Sequence, residues 1–574
     1  MAETGTTGTA GPAGPARSTE PAGSPGSPAV PQQARAAGAA GAARTASTDA
    51  LPKGFRSAEL GWPELARIPH PPHRIPLLGD LLGASRRTPV QDSLRYAAEL
   101  GPIFRRKIFH REFVFVGGAE LAADMADETR FAKHVGLGIA NLRPVVGDAL
   151  FTAYNHEPNW QLAHDVLAPG FSREAMAAYH PMMLDVAERL TGHWDAELAA
   201  GRAVDIPGDM TKLTLETIAR TGFGHDFGSF ERARPHPFVT AMVGTLTYAQ
   251  RLNTVPSPAL LRRATRRNEA DIAFLDRTVD ELVRARRSAG GGEGDLLDRM
   301  LDTAHPSTGE RLSALNVRRQ VITFLVAGHE TTSGALSFAL HYLSLNPHIA
   351  ARARAEVDRV WGDTAVPGYE QVAKLRHVRR VLDEALRLWP TAPAFAREAR
   401  ADTVLGGEHP IRRGGWALVL TAMLHRDPEV WGPHPERFDP DRFDAQAVRT
   451  RAPHTYKPFG TGARACIGRQ FALHEAVLVL GLLLRRYDLR PDPAYRLRVV
   501  ERLTLMPDGL RLHLERRTLT SSDGPVGGPG DRPVDGPVGG PVGGPVGGPG
   551  EDPGGEGGGA PGSAPRCPVR GPGD

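Results

Sequence analysis

Cysteine and long apolar runs are scarce in this chain. Its 574 residues include only two cysteines, Cys466 and Cys567, which excludes a disulfide framework or a cysteine-rich zinc site and favours a reducing compartment. The best apolar run, from Ala476 to Leu484, is too short for the roughly 18 residues that a membrane span needs. The N-terminal segment also lacks the apolar core of a secretory signal, so the sequence predicts a cytoplasmic protein with no membrane span.

Lysine is scarce beside arginine, and the formal net charge is only +4. No basic run is interleaved with aromatic residues, which is the pattern expected of a nucleic-acid-binding surface. A mildly basic, solvated surface therefore explains the charge better than nucleic-acid binding does.

Composition divides the chain into three unequal parts. Residues 1–55 are almost all Ala, Gly, Pro, Ser and Thr, and residues 517–574 are rich in Gly and Pro, with PVGG units repeated from Pro537 to Gly548. Neither part has enough apolar side chains to offset the entropy lost on ordering, so both are predicted to be disordered. Residues 56–516 carry the apolar patterning and are predicted to form one large, mainly α unit.

Helical spacing of apolar residues dominates that middle part. It runs over Asp209–Gly224 and Asn268–Gly292, and Val321–Leu340 is typical of one long apolar helix. Strand-like runs are short and lie early and late, at Glu112–Gly118 and Gly415–Leu420. The pattern predicts a small sheet beside a mostly helical body.

The long apolar helix has a polar centre at His329–Thr332, preceded by Gly328. Glycine inside a helix lowers its stability by about 1 kcal/mol relative to alanine, so the presence of Gly328 there needs an explanation. Ala327, Gly328 and Thr331 share a face, on which small residues let a bulky group approach the backbone and a threonine hydroxyl bonds to the carbonyl four residues earlier. A glycine at a helix–helix crossing explains the pattern equally well.

Glu384 and Arg387 stand three residues apart on one helix that Pro390 ends. An exposed pair of this kind is common and contributes little stability. A buried pair needs further partners, and Arg437 in the sequence HPERFDPDRF offers one.

Four motifs in this order, AGHETT, EALR, PERF and FGTGARACIG, resemble those of the cytochrome P450 family. The resemblance implies the P450 fold, which is mainly α with a small β part and forms a triangular helical prism around haem b, an iron protoporphyrin IX. Cys466 would be the thiolate ligand of the haem iron, in a loop shaped by Phe459, Gly460 and Gly462. A buried structural cysteine would leave the flanking pattern unexplained.

From about Thr88 to Leu514 the chain is similar to the haem domain of the self-sufficient bacterial fatty-acid hydroxylases, whose haem and reductase domains share one polypeptide. The similar stretches include DALFTAYNHEPNWQLAHDVLAPGFS, LRLWPTAPAF and CIGRQFALHEAVLVLG. No flavin- or NADPH-binding sequence follows Leu514, so electrons from NAD(P)H are expected through a separate flavodoxin- or ferredoxin-type partner, or else the chain is a truncated or split gene product. The cations flanking the cysteine loop, where an acidic partner would dock, are Lys457, Arg464 and Arg469.

The same resemblance assigns roles to further residues. Thr331 and Glu330 would deliver protons during oxygen activation, and Ala327 and Gly328 would leave room for dioxygen. The side chains expected to contact the haem propionates are Lys133, Trp160, His164 and Arg464. The side chains expected to hold the scaffold on the cysteine side are Glu384, Arg387 and Arg437.

Residues that would contact substrate carry a weaker signal. Phe151 matches an aromatic residue that lies over the haem in these hydroxylases. Arg111 matches the cation that holds a carboxylate at the mouth of their channel, and Phe115 stands where they have a tyrosine. An apolar channel would be lined by Ile139, Leu142, Val146, Ala392 and Leu503, each of which is explained as well by an ordinary core position. Subterminal hydroxylation of medium- or long-chain fatty acids is therefore expected, with weaker anchoring or a broader choice of substrate.

Other functions remain open beside this one. A P450 of this kind could act on another apolar small molecule, such as a secondary metabolite. A haem sensor without turnover would not need Thr331 and Glu330, a peroxygenase usually lacks that pair, and an isomerase or a dehydratase tends to lose the threonine. The AGHETT sequence keeps both residues, which favours a monooxygenase.

Overall fold

The computed structural model describes residues 61–81, 85, 87–109, 111–232, 234–252, 255, 258–290, 292, 294–364 and 366–517. The segments predicted to be disordered, 1–55 and the tail beyond 517, lie outside the described residues. Arg517, the predicted first residue of that tail, belongs to the folded body. Its backbone N–H donates to the Arg486 carbonyl at 2.9 Å, and its guanidinium pairs with Asp358 at 2.8 Å.

Helices make up most of the described chain. In chain order they are α1 (Pro89–Leu100), α2 (Ala119–Ala126), α3 (Leu137–Ala140), α4 (Arg143–Val146), α5 (Asn159–Leu167), α6 (Arg173–Ala199), α7 (Ile206–Phe223), α8 (Pro237–Arg251), α9 (Arg262–Ser288), α10 (Leu296–Asp302), α11 (Ala314–Leu345), α12 (Pro347–Trp361), α13 (Tyr369–Val372), α14 (Arg376–Leu388), α15 (Thr421–Leu424), α16 (Pro428–Trp431), α17 (Ala445–Thr450) and α18 (Arg469–Arg486).

The strands are short. They are β1 (Ile103–Ile108), β2 (Arg111–Val116), β3 (Phe131–His134), β4 (Val204–Asp205), β5 (Ala394–Ala399), β6 (Thr403–Leu405), β7 (His409–Ile411), β8 (Trp416–Leu420), β9 (Tyr487–Pro491), β10 (Val499–Glu501), β11 (Leu505–Pro507) and β12 (Arg511–Arg516). One sheet has the order β1-β2-β8-β5-β3, a second has the order β4-β12-β9, and β6–β7 and β10–β11 form separate pairs. The predicted mainly α body with a small β part is confirmed.

The two strand-like runs of the sequence meet in the larger sheet. They form β2 and β8, which pair in parallel with Phe115 opposite Leu418. β1 pairs antiparallel to β2 on the other side. Because Arg111 is the first residue of β2, it lies at the hairpin end of this sheet.

Helix α11 runs through the centre of the molecule and positions the candidate site. It begins at the cap residue Ser313, whose hydroxyl accepts the Asn316 N–H at 3.1 Å. Most of its residues are buried in the main core. β11 crosses it so closely that a Cβ at Gly334 would lie 2.7 Å from the Leu505 carbonyl oxygen. The long helix predicted over Val321–Leu340 is thus confirmed as one continuous element.

The helices predicted over Asp209–Gly224 and Asn268–Gly292 correspond to α7 and α9. The carboxylate of Asp205 caps the start of α7, and Gly224 caps its end in the left-handed conformation that glycine tolerates best. Among the described helices none combines the length and the apolar character required to cross a bilayer.

Candidate active site

Cys466 lies at the end of a tight loop that leads into α18. Its backbone N–H donates to the Phe459 carbonyl at 2.9 Å, which closes the loop on itself. Gly460 and Gly462 have positive φ angles of 75° and 69°, which residues with a side chain rarely adopt. A Cβ at Gly462 would also collide with the Glu128 carboxylate, which accepts a backbone N–H of the loop at 2.9 Å. These two contacts explain the glycines, and the predicted close approach of the loop backbone to a porphyrin stays a prediction.

Protein atoms surround the Cys466 thiol, although the residue is also exposed to solvent. The residue is exposed, yet burial by the surrounding protein raises the pKa of the thiol, while a backbone bond from Gly468 and the charge of Arg469 lower it. A thiol on the wall of an inner cleft has both properties. α18 begins at Arg469, and the N–H groups of its first turn favour a negative charge nearby. These groups suit a thiolate that binds a metal.

One face of α11 is open at the centre of the helix. Ala327 is exposed and Thr331 is half-buried one turn later, and the Thr331 hydroxyl donates to the Ala327 carbonyl at 2.9 Å. Gly328 faces α7 instead, where a Cβ would lie 3.1 Å from Cγ1 of Ile218. The helix-crossing explanation is therefore supported for Gly328, and its role in admitting dioxygen stays a prediction.

Glu330 points away from that open face. Consecutive residues stand about 100° apart around an α-helix, and the buried Glu330 carboxylate accepts from the Thr504 hydroxyl at 2.9 Å. Its other oxygen lies 3.5 Å from a guanidinium nitrogen of Arg502. The two residues predicted to deliver protons thus face different ways: Thr331 lies on the open face of α11, and Glu330 points toward the turn between β10 and β11.

The four side chains predicted to contact the haem propionates come together. Lys133 donates from Nζ to the Phe151 carbonyl at 2.6 Å. Arg464 lies 4.5 Å from the centre of the Trp160 ring, which stacks on His164 at 5.1 Å. Burial, and then the charge of Arg464, lower the pKa of Lys133 to about 7. Burial likewise lowers the pKa of Arg464 to about 10, and the charge of Glu157 opposes part of that shift.

The charges of Lys133 and Arg464 fit the propionate groups of haem. Neither Lys133 nor Arg464 forms an ion pair with a carboxylate of the chain between residues 61 and 517, as far as the structure describes it. The Nε of Arg464 is buried without a hydrogen-bond partner. Two neighbouring half-buried cations repel each other, and an anion that joins them removes that cost. The two propionate groups on one edge of haem supply that anion, and Cys466 supplies the thiolate, so the donor set fits.

Asn155 connects the Arg464 guanidinium to the backbone of Lys133 and was missed in the sequence. Its side-chain amide donates to the Lys133 carbonyl and to the Glu398 carboxylate, each at 2.7 Å. Its Oδ1 accepts from Arg464 at 3.4 Å, and Glu398 also pairs with His134 at 2.7 Å. A single asparagine in a loop gives no sequence signal of such a bridge, because all of its partners except Lys133 are far away along the chain.

Glu384 and Arg387 form the buried pair that the sequence predicted. Arg387 donates to both carboxylate oxygens, at 2.7 and 2.8 Å, and both side chains are 0% exposed. Burial raises the pKa of Glu384, and the bonds from Arg387 oppose that rise. Arg387 also donates to the backbone carbonyl of His425 at 2.8 Å. Burial lowers the pKa of the His425 imidazole to about 3.

The prediction that the Arg437 side chain joins this pair is wrong. Arg437 is exposed, and only its backbone carbonyl takes part, accepting from Arg387 at 3.2 Å. The loop turns it outward and then returns through the short helix Pro440–Phe443. Arg442 of that helix is the second cation, with its Nε 3.6 Å from Glu384.

Three predicted substrate residues line one small apolar cavity. Leu142, Val146 and Phe151 enclose it together with Met242 and Val326. Its volume of about 20 Å³ has room for roughly one water molecule. The predicted channel residues outside this wall are Ile139, Ala392 and Leu503. A continuous channel through all six residues stays a prediction.

Arg111, the predicted carboxylate anchor, reaches from the sheet to the end of α8. Its guanidinium donates to the Leu252 carbonyl at 3.2 Å, and burial lowers its pKa. Phe115 packs against Phe104, with ring centres 5.1 Å apart and planes 11° from parallel. Arg111 is therefore half-buried and bonded to a neutral carbonyl, whereas Phe115 belongs to a small aromatic cluster.

The three cations predicted to form a docking face divide into two groups. Arg469 is exposed and lies 5.7 Å from the Phe459 ring, and its charge adds to burial in lowering the pKa of Lys457. Arg464 instead belongs to the inner site with Trp160. Its guanidinium lies against Trp160 and donates to the Ala153 carbonyl at 2.6 Å, so its part in docking a partner stays a prediction.

Comparison with known proteins agrees with this site. The family described as "Cytochrome P450" matches residues 69–512. The chain is 45% identical over 473 residues to the bifunctional cytochrome P450/NADPH–P450 reductase of Bacillus cereus, covering 81% of this chain and 44% of the relative. It is 44% identical to a second protein of that description from Bacillus subtilis, over 79% of this chain and 43% of the relative.

A fungal protein is also similar. The self-sufficient cytochrome P450 monooxygenase of Exserohilum turcicum is 36% identical over 468 residues, which cover 81% of this chain and 44% of the relative. The chain therefore matches less than half the length of each of these three relatives.

Proposed function

The chain belongs to the cytochrome P450 family, whose members bind haem, and from this premise we propose that it is a haem-thiolate monooxygenase. It would insert one oxygen atom of O₂ into an apolar chain, by subterminal hydroxylation of medium- or long-chain fatty acids. The observation that carries the proposal is the pair of half-buried cations, Lys133 and Arg464, which lie near each other without a carboxylate partner among the described residues.

The residues around the cysteine would keep its sulfur negative. When bound, haem supplies the iron centre at which dioxygen is reduced. Cys466 must lose its proton to bind there, and the Gly468 N–H, the first turn of α18 and the charge of Arg469 all favour the anion. Lys133 and Arg464 would balance the two propionates, and Asn155 would help to orient Arg464 by accepting from its guanidinium.

Thr331 would hold and pass a proton at the cleft. Its hydroxyl donates to the Ala327 carbonyl, which leaves the lone pairs of the oxygen able to accept a proton from the cleft side. The adjacent Glu330 is a buried carboxyl that can exchange protons with the β10–β11 side. A general acid and an alcohol in sequence can move a proton without admitting bulk water.

Substrate would lie along the apolar wall formed by Leu142, Val146 and Phe151. Arg111 would attract a carboxylate at the hairpin end of β2. A charge-assisted hydrogen bond of this kind contributes about 1.5–3 kcal/mol. Because Arg111 already donates to Leu252 and Phe115 has no hydroxyl, anchoring would be weak.

That weak anchor favours a second candidate function. An uncharged apolar molecule, such as a secondary metabolite, would gain the same apolar contacts without needing Arg111. A haem sensor without turnover is disfavoured, since it would need neither Thr331 nor the buried Glu330.

Electrons from NAD(P)H would enter from the cysteine side through a separate flavodoxin- or ferredoxin-type protein. Lys457 and Arg469 are the cations that would meet an acidic partner there. Turnover with such a partner should fall as added salt screens the encounter. Turnover that does not change with ionic strength would contradict docking by charge.

The full chain, loaded with haem, tests the proposal in two steps. Its reduced form under carbon monoxide should show the absorption band typical of thiolate ligation, and Cys466→Ala should lose that band. With a supplied reductase system, NADPH and O₂, a panel of fatty acids and their methyl esters should then identify the product. An unchanged spectrum in Cys466→Ala would refute the assigned ligand, and uptake of NADPH with no oxygenated product from any acid or ester would refute the monooxygenase.

A further inference from the structure

Asp165 of α5 joins two histidines that are far apart along the chain. Nδ1 of His164 lies 3.2 Å from one of its carboxylate oxygens, and Nε2 of His305 lies 3.0 Å from the other. Gln161, one turn earlier on α5, donates its amide to both oxygens, at 2.9 and 2.8 Å. The bonds from Gln161 and from the two histidines lower the pKa of Asp165, so this group is an anion held by three side chains.

The loop between α10 and α11 determines which nitrogen of His305 carries a proton. Its Nδ1 accepts the backbone N–H groups of Ser307 at 3.3 Å and of Thr308 at 3.2 Å. A ring nitrogen that accepts these bonds has no proton of its own, so the proton lies on Nε2 and is donated to Asp165. The backbone N–H of His305 donates to the Glu310 carbonyl at 2.7 Å, which closes the loop, and the His305 side chain is only 12% exposed.

His164 belongs to the same cluster of side chains as Arg464. Its ring stacks on Trp160, with centres 5.1 Å apart and planes 26° from parallel, and the Arg464 guanidinium lies 4.5 Å from the centre of the Trp160 ring. Because a carboxylate only accepts hydrogen bonds, Nδ1 of His164 carries the proton that bonds to Asp165. Nε2 of that ring then has no hydrogen-bond partner within the part of the chain that the structure describes.

We propose that Asp165 and His305 are positioning residues for the propionate end of the haem site. Asp165, fixed by His305, keeps Nδ1 of His164 protonated and leaves Nε2 to face a propionate. Since an anion cannot bond to an unprotonated nitrogen, the exposed imidazole takes up a second proton from solvent when haem binds, and Nε2 then donates to the propionate. Asp165 balances the positive charge of the ring. This inference rests on the haem site of the proposed function and not on its substrate.

The charged and titratable groups around His164 come from three elements. Asp165 comes from α5 itself. His305 comes from the α10–α11 loop and bonds to the far oxygen of that carboxylate rather than to His164. Arg464 comes from the cysteine loop and lies against Trp160. Among these groups Asp165 is the anion, so removing its charge should leave His164 with one proton whether or not haem is bound.

Four substitutions separate the parts of this network. Asp165→Asn keeps an acceptor oxygen and removes the charge. His305→Leu removes the donor that fixes Asp165, whereas His305→Gln keeps a side-chain N–H there and should restore the behaviour of the parent. Asp302→Asn is the matched control, since it removes an exposed carboxylate at the end of α10, close to His305 along the chain. Circular dichroism shows whether each variant folds, and the two His305 variants decide the proposal if Asp165→Asn does not fold.

Nitrogen-15 NMR of the histidine rings provides a measurement that does not depend on turnover. His164→Gln identifies the His164 signals in the full chain, both without haem and loaded with zinc protoporphyrin IX, which is diamagnetic and keeps both propionates. The parent should have one protonated nitrogen, Nδ1, without the porphyrin and two with it. In the loaded state, Asp165→Asn should keep Nε2 unprotonated, His305→Leu should lower the share of doubly protonated rings, and Asp302→Asn should match the parent. One proton in the loaded parent, or two in loaded Asp165→Asn, would overturn the proposal.

The rate at which ferric haem leaves the full chain for an excess of apomyoglobin provides the second measurement. Because the His164 side chain is 33% exposed, its bond to a propionate should resemble an ordinary hydrogen bond of about 0.5–1.5 kcal/mol, and its loss in Asp165→Asn should speed release about 2- to 12-fold. His305→Leu should change the rate in the same direction, and His305→Gln and Asp302→Asn should match the parent. Parental rates in both Asp165→Asn and His305→Leu would show that the network does not serve the propionates. A doubly protonated His164 in a loaded protein that forms no oxygenated product would refute the monooxygenase and leave this assignment standing.

Discussion

Replacing Arg442 should destabilise the protein much more than replacing Arg437, although both belong to one short loop. The Arg442 side chain lies 3.6 Å from the buried Glu384 and donates to the carbonyls of Trp431 and His434. The Arg437 side chain is exposed, and only its carbonyl meets Arg387. Because a backbone carbonyl survives any side-chain substitution, Arg437→Met keeps that contact.

The magnitudes follow from the bonds that each substitution removes. Arg442→Met loses two hydrogen bonds to carbonyls and one ion contact with a buried carboxylate, which together amount to about 2–4 kcal/mol of unfolding free energy. Arg437→Met is a surface change and should stay within about 0.5 kcal/mol of the parent. Arg387→Met provides the upper reference, since leaving the buried Glu384 without its principal partner costs about 3–5 kcal/mol.

Urea unfolding of the haem-loaded protein measures these differences. Far-ultraviolet circular dichroism follows the helices, and the haem absorption band follows the site, so both probes should report the same order of midpoints. The slope of each transition should match that of the parent, which keeps the comparison to stability alone. A loss of stability in Arg437→Met as large as that in Arg442→Met would show that the exposed side chain does belong to the buried network.

Local motifs predicted the parts of the site that depend on neighbouring residues. The loop of Cys466 could be read from its glycines because positive φ angles leave few other choices. The Glu384–Arg387 pair could be read from a spacing of three, which places both side chains on one helix face. The long helix α11 could be read from its apolar residues, and the resemblance to a known family supplied the roles.

Contacts between distant segments were beyond those motifs. The sequence could not tell that Arg442 rather than Arg437 turns inward, because the direction depends on how the loop packs against α14. It could not separate Ala327 from Gly328, since both are small and only the position of Ile218 on α7 decides which faces a helix. Thr504 is 174 residues away from Glu330 along the chain, so it could not be found as a partner of that carboxylate.

Three further predictions concern the site itself. Thr331→Ala should still consume NADPH with a supplied reductase but divert much of it to hydrogen peroxide, and tight coupling in the variant would contradict a role in proton transfer. Arg111→Ala should weaken fatty-acid binding by about 1–3 kcal/mol, measured by the shift of the haem absorption band, and should leave the methyl ester of equal length almost unchanged; equal losses for acid and ester would refute the anchor. Burial lowers the pKa of Lys133 from its ordinary value of 10.5 to about 7 in the folded protein. Between these two pH values the unfolded chain therefore binds one more proton than the folded protein does. The haem-free protein should consequently gain stability as the pH rises, by at most about 1.4 kcal/mol per pH unit. Lys133→Met should remove that part of the slope in thermal unfolding of the haem-free protein between pH 7 and pH 10, and the same slope in both proteins would show that Lys133 keeps its proton in the folded state.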